Sequence, residues 1–322
     1  MNSLDNNIEF QTREAHDIVL IDRTPEGHRL PARQGVGLAR KIGADFALSL
    51  WASGGCRSQW IHCTDADVQL PVDYFDRIDE MTVNGRFKSA DHSAFLYDFC
   101  HIANPSTDHA QAILEYELYL RYYVLGLRSA GSPYAFHTIG STLAINVLAY
   151  ARVRGFPKRE AAEDFHLLAK LAKVGGISSL RGDPIELSGR ESERVPFGTG
   201  RAMIEGRERA SEGEILRVYD PRCFAWLRVW LETLTSLSMN PHRAPVDQIH
   251  EIARKRDVDP MDLCKILEQL GAVAATLSLL QRKRDTQRSL NESFDAIATL
   301  RFIHAVRDHI HPDVPLQAAL AS

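Results

Sequence analysis

Two aspartates one residue apart, Asp65 and Asp67, follow a short apolar-leaning run from Trp60 to Cys63, and Pro71 closes the stretch. In an extended chain, residues i and i+2 point the same way, so the two carboxylates can converge on one cation. Hard carboxylate oxygens suit Mg²⁺ or Mn²⁺, with a phosphate supplying further ligands. A polar strand end running into a turn has the same appearance, and a bare D-x-D recurs by chance. Downstream, Glu163 and Asp164 sit near a helix start, where the helix dipole stabilises an anion. They differ by about 100° around the axis, so one of the two aims into any site. Dipole matching alone also accounts for such a pair. Arg190 and Arg194 stand in a Gly-, Pro- and Ser-rich stretch from Arg181 to Gly200 and could clamp phosphate oxygens. A solvated surface loop is the plain alternative. His137, between aromatics and a Gly-Ser turn, reads as either a structural or a catalytic imidazole.

The elements that must position these residues follow from periodicity. The run Ile18 to Asp22 predicts a buried parallel strand, and residues 1–17 carry no periodic signal. Gly35 and Gly37 open a helix through Phe46, Leu50 and Trp51, where glycine permits close backbone approach and a helix N-terminus favours an anion. An ordinary pair of loop glycines fits equally. Strand, helix and the strand before Asp65 then imply a right-handed crossover and a parallel sheet, with the aspartates at the strand end where ligands sit in open α/β sheets.

Further on, residues 74–81 predict a short helix and 83–104 an irregular segment. A Tyr- and Leu-rich helix runs from Asp108 to Leu127; its tyrosines at 116, 119, 122 and 123 suit core packing more than a carbohydrate platform. The stretch from Gly131 leads into a helix ending near Arg154, and Pro157 opens another that continues to Val174. The segment 181–200 reads as structureless. From Glu214 only helices are expected, over 221–238, 245–256, 260–280 and 285–310. Leu290, Phe294, Ile297 and Phe302 would share one face of the last.

Composition bounds the function. The chain has 322 residues, 44% apolar and 25% charged, and a formal net charge of −4. It is long enough for one large domain or two ordinary ones, and its acidic balance argues against nucleic acid or membrane-surface binding. A helix-turn-helix over 245–270 lacks the basic stripe that DNA requires. Five cysteines without a C-x-x-C pair suggest neither a disulfide framework nor a zinc site. No apolar run reaches the roughly 18–20 residues that span a bilayer, and the polar N-terminus lacks a signal core. A cytoplasmic chain is the expectation.

Six stretches, in this order, resemble a family 2 glycosyltransferase: VLIDR (19–23), GVGLARKIGAD (35–45), WIHCTDADVQLPVDYF (60–75), HTIGSTLAI (137–145), RGFPKREAAEDFHLLAKLAKVGG (154–176) and SGRESERVPFGTG (188–200). The resemblance covers about residues 18–200. It implies a GT-A fold, here an incomplete Rossmann-like mixed sheet with flanking helices over 18–210, after a polar segment 1–17 and before a helical region 211–322. It also implies metal-dependent, inverting transfer of a sugar from a nucleotide-sugar donor to a hydroxyl of a carbohydrate, lipid or small-molecule acceptor. Asp65 and Asp67 match the motif that holds Mn²⁺ or Mg²⁺ against the donor diphosphate. Asp164, beside Glu163, matches the general base. Arg40 falls near the donor nucleotide, Arg190 and Arg194 in a loop over the diphosphate, and His137 near the acceptor.

The family's first strand-helix-strand-helix unit has no counterpart here, which implies a second copy or another chain completing the sheet, or else a truncated gene product. The alternative is then a non-catalytic, complementing homologue. A phosphohydrolase with an aspartyl nucleophile is a third reading, but its D-x-D-x-[TV] pattern meets Gln69 at the fifth position.

Overall fold

The computed structural model describes residues 7–321 apart from 15, 32, 84–87, 103–108, 194–197 and 282–285. The fold is mixed α/β and about half helical. In chain order, β1 (Ile8–Thr12) and β2 (Asp17–Ile21) precede α1 (Gly35–Ala52), β3 (Trp60–Cys63) and α2 (Asp76–Val83). Then come β4 (His92–Ile102), α3 (His109–Ser129), β5 (Leu143–Asn146), α4 (Val147–Arg152), α5 (Glu163–Leu171) and β6 (Gly176–Ser188). The rest is α6 (Thr199–Ser211), β7 (Arg217–Val218), α7 (Pro221–Met239), α8 (Pro245–Arg254), α9 (Pro260–Gln269), α10 (Ala272–Leu280), α11 (Thr286–Ser293), α12 (Ala296–His309), β8 (Val314–Pro315) and α13 (Leu316–Leu320).

Contacts divide the chain into two compact units. One contains 1–66, 73–97 and 138–176; the other contains 67–72, 98–137 and 177–322. The main sheet has the strand order β3-β5-β4-β6, and β4 contributes its first residues to one unit and its last to the other. In the first unit β5 is antiparallel to both neighbours, with Ile61 opposite Ile145 and Phe95 opposite Ala144. All four β5 residues are buried. Leu143 and Ile145 are fully enclosed, each contributing roughly 2 kcal/mol of apolar burial. Asn146 then turns the strand directly into α4, its side chain accepting from the N–H groups of Leu148 and Ala149.

The second unit holds the helical remainder. Trp230, Leu234, Ile249, Leu263, Leu267, Leu290 and Phe302 form its buried centre. Asp220, Asp259 and Asp295 cap α7, α9 and α12, with Pro221 and Pro260 at first-turn positions. Gly126 of α3 lets α7 approach so closely that a Cβ there would lie 2.4 Å from the Phe224 ring.

Several elements differ from expectation. Residues Asp17–Ile21 are not a buried parallel strand: they form an antiparallel hairpin with Ile8–Thr12, separate from the main sheet. The predicted strand–helix–strand crossover is therefore absent, and the hairpin exposes Phe10 and Leu20. Residues 83–104 are not irregular, since they contain β4 at an inner position of the sheet. Its apolar run, Ala94 to Tyr97, is buried at every position, as a strand covered on both faces requires. The helix expected after Gly131 begins only at Val147, because Leu143–Asn146 is a strand. Pro157 opens no helix; α5 starts at Glu163 after an extended segment. Residues 176–188 form a strand and α6 starts at Thr199, so among the described residues of the stretch expected to lack structure 189–193 and 198 lie outside it. Gly271, at φ 68°, breaks 260–280 into two helices bent by 81°, and 285–310 is likewise two helices, so the face from Leu290 to Phe302 spans a break at 294–295. Among the described residues, no single helix is long and apolar enough to cross a membrane.

Candidate functional site

In the first unit, two carboxylates and a backbone carbonyl from three separate stretches meet around one guanidinium. Arg40 projects from the middle of α1. Its Nη2 lies 2.6 Å from Asp65 Oδ1, its Nε 3.0 Å from Glu163 Oε1, and its Nη1 donates to the Gly140 carbonyl at 2.7 Å. The Arg40 and Glu163 side chains are 10% and 6% exposed, whereas Asp65 is 46% exposed. One pair is thus enclosed and the other opens to solvent. Burial by itself would make the guanidinium easier to deprotonate; the charges around it, Asp65 first, more than offset this and hold it cationic.

Backbone geometry builds this cluster. Gly37 donates its N–H to the Arg159 carbonyl at 3.0 Å, and a Cβ on Gly37 would lie 2.4 Å from that oxygen and 2.5 Å from Pro157 O. The glycine pair therefore seats the first turn of α1 against the strap 157–160 that leads into α5. That strap takes the place where the sequence suggests an anion. Gly140 has a similar reason: a Cβ there would sit 3.0 Å from the Arg40 guanidinium. Ala162, immediately before Glu163, adopts φ 57° and ψ 23°. Left-handed backbone at a non-glycine residue is costly and persists only where the surroundings enforce it. Here the strap held by α1 forces the turn that delivers Glu163 and Asp164.

Among the described carboxyl groups, Asp164 is the one whose proton affinity is most altered. Its Oδ1 accepts from the Phe165 N–H at 2.7 Å, and the Gly140 N–H also faces it. Burial first, and the neighbouring Glu163 charge second, push its carboxyl up to about 6, against the opposing pull of those N–H groups and of Arg40. Such a carboxyl is ionised near neutral pH yet accepts a proton readily.

In the second unit, Asp67 is paired with Arg190 at 2.8 Å, and both side chains are substantially exposed, 41% and 57%. The two aspartates thus lean on different arginines. They also lie beyond the end of β3, Asp65 in irregular backbone and Asp67 in a turn. The alternation of an extended strand therefore does not set their directions. Among the described residues, no group of three or more His, Cys, Asp or Glu is placed to hold a metal ion.

His137 packs edge-on against Phe99, ring centroids 5.1 Å apart, and burial pushes its imidazole down to about 4, so it is neutral. Arg194 lies outside the described residues. The sequence reading passed over Gly140 as a site residue, although its carbonyl orients Arg40. It also passed over a buried array of His101, Glu117 and Thr199 in the second unit. The HTIGS stretch carried a signal for the first; the second joins positions far apart in the chain and has none.

No protein-family profile, curated protein or solved structure matches this chain.

Proposed function

We propose that this chain transfers a sugar from a nucleotide-sugar donor to a hydroxyl acceptor on a GT-A-like core, as the family 2 resemblance implies. The observation that carries the reading is Arg40 joining Asp65 to Glu163, beside an Asp164 carboxyl pushed up to about 6. The segments that carry the D-x-D and the E-D pair are 98 residues apart from Asp65 to Glu163 in the chain, and one arginine holds both.

In this reading Asp164 takes the proton of the acceptor hydroxyl. The acceptor oxygen bonds to the anomeric carbon as the bond from that carbon to the diphosphate oxygen breaks, and the electron pair leaves with the nucleoside diphosphate. Attack opposite the leaving group inverts the anomeric centre. Glu163, closed off against Arg40, orients the guanidinium and raises the affinity of Asp164 for a proton. Arg190, exposed beside Asp67, supplies positive charge to the donor phosphates.

In the resemblance Asp65 and Asp67 hold the cation, and each is an exposed hard carboxylate of the kind that suits a cation arriving with a diphosphate. When bound there, Mn²⁺ or Mg²⁺ would neutralise charge on the leaving diphosphate. The test is a screen of nucleotide-sugar donors for cation-dependent release of nucleoside diphosphate, run beside Asp164→Asn. Turnover that survives this substitution unchanged removes the assigned base.

A second reading, a complementing subunit, has one observation in its favour. β3 ends the strand order of the sheet, and the β1–β2 hairpin leaves Phe10, Ile18 and Leu20 exposed. Light scattering separates the two: a folded, active monomer excludes the second.

A further inference from the structure

We propose that His101, Glu117 and Thr199 are positioning residues that fix the segment carrying Arg190 and thereby hold Arg190 against Asp67. The proposal rests on the reading of Asp67 and Arg190 as donor-diphosphate residues, and all the residues concerned belong to the second unit.

The His101 side chain is 1% exposed near the end of β4. Its Nδ1 lies 3.0 Å from Glu117 Oε1, the same oxygen accepts the His101 backbone N–H at 2.5 Å, and Nε2 lies 3.1 Å from Thr199 Oγ1. An ionised carboxylate only accepts, so Nδ1 carries the proton. Nε2 pairs with the Thr199 hydroxyl, which can either donate or accept. Burial opposes the Glu117 charge, but hydrogen bonds from His101 and the Arg121 cation outweigh it and keep its carboxyl below the ordinary range. Arg121 completes the frame: it pairs with Glu117 at 2.9 Å, donates to the Phe99 carbonyl at 3.0 Å and lies over the Phe99 ring.

Thr199 is the first residue of α6, so this array ties the far end of the 189–198 segment to β4 and α3. The near end is tied to the same two elements. Gly189 donates to the Ile102 carbonyl at 3.1 Å, and a Cβ on it would lie 2.4 Å from Ile113 Cδ1. The ends are also tied to each other, since Ser192 N–H donates to Gly200 O at 3.2 Å. Arg190 follows the first anchor directly. Among the described residues its bond to the D-x-D is an exposed ion pair with Asp67, and such pairs contribute little order of their own in water. The buried, directional bonds at the segment's ends are therefore what place Arg190.

The order carboxylate–imidazole–hydroxyl also occurs in hydrolytic triads. Here the ring is enclosed and its hydroxyl partner joins it to the helix, which favours a clasp.

The test uses the full chain with Thr199→Val, which removes the hydroxyl at nearly constant volume, and Thr199→Ser, which restores it. His101 itself is too buried for a variant that folds reliably. Three readouts are taken: amide hydrogen exchange over 189–200, the Kd for Mn²⁺ with UDP, GDP, dTDP or CMP, and KM against kcat for any donor turned over. Thr199→Val is expected to speed exchange in this segment and weaken nucleotide binding about five- to ten-fold. KM rises with it, while kcat and the melting temperature stay close to wild type, and Thr199→Ser recovers the loss. Arg190→Ala should weaken binding similarly, with no further loss in the double variant. If Thr199→Val leaves exchange and binding at wild type while Asp67→Asn abolishes binding, the positioning role falls and the donor site stands. If the wild type binds none of the four nucleotides, both fall. Covalent labelling of Thr199 by an organophosphonate would identify a nucleophile and overturn the assignment.

Discussion

Asp164→Asn isolates the environment around the proposed base without knowledge of any substrate. In the unfolded chain the carboxyl releases its proton near the ordinary aspartate value of 3.8, and in the fold it holds it until about 6. Below 3.8 both states are protonated and folding carries no penalty. As pH rises through that window the unfolded chain loses its proton first, so stability falls, and above 6 the whole penalty is present. Two pH units correspond to about 3 kcal/mol at pH 8, of which about 1 kcal/mol is already present at pH 4.5. Asparagine cannot ionise but keeps an oxygen for the Phe165 N–H. The stability of Asp164→Asn relative to wild type should therefore improve by about 2 kcal/mol between pH 4.5 and pH 8. Urea melts of both proteins at pH 4.5, 6 and 8 measure it. A difference that stays flat with pH, or that moves against the variant at high pH, would refute the burial and like-charge origin assigned to this carboxyl.

Other perturbations test the frame. Arg40→Met leaves Glu163 enclosed without its partner, and breaking such a pair costs about 3–5 kcal/mol; a loss under about 1 kcal/mol in the same melts would mean that Glu163 finds water or a proton cheaply. The variant should also move the Asp164 titration higher, measurable by carboxyl NMR, because Arg40 lowers it in the native protein. Gly37→Ala places a methyl where backbone oxygens stand at 2.4 and 2.5 Å, and overpacking of this kind costs about 1–3 kcal/mol. It should disturb the strap before Glu163 and reduce turnover more than stability alone explains; wild-type turnover at a temperature where both proteins are folded would show that the strap does not set the base. In a pH–rate profile of kcat/KM, activity should rise with pH through about 6 as Asp164 ionises; a profile flat from 5 to 7 would assign the proton elsewhere.

What the sequence disclosed of this arrangement depended on how local its causes were. The helix after Gly35, the Tyr-rich helix to Leu127 and most of the helices after Pro221 follow from apolar periodicity and caps that lie within a few residues. β4 and β5 escaped because the apolar part of each is a run of at most four residues with no alternation, and a run covered on both faces resembles a loop or a helix end until its neighbours are known. The start of α5 was misplaced for a different reason. Pro157 has the chemistry of a helix opening, but the strap is drawn out by a bond to Gly37, more than a hundred residues away. At the site, the family resemblance named Arg40, Asp65 and Asp164, and the structure sets Arg40 against Asp65 and Glu163. That Glu163 meets Arg40 while Asp164 accepts from the Phe165 N–H could not be read from residue types, because both contacts depend on how the strap enters α5. The His101 clasp was invisible because its parts come from β4, α3 and α6.

The account stands most directly on whether the D-x-D carries a cation with a diphosphate. Calorimetric titration of Mn²⁺ with UDP, GDP, dTDP or CMP into the wild type and Asp67→Asn measures this without an acceptor. Cation-dependent binding of at least one nucleotide, lost in Asp67→Asn and abolished by chelation, is the predicted result. Binding of none of them, or binding that neither the cation nor Asp67 affects, would contradict it.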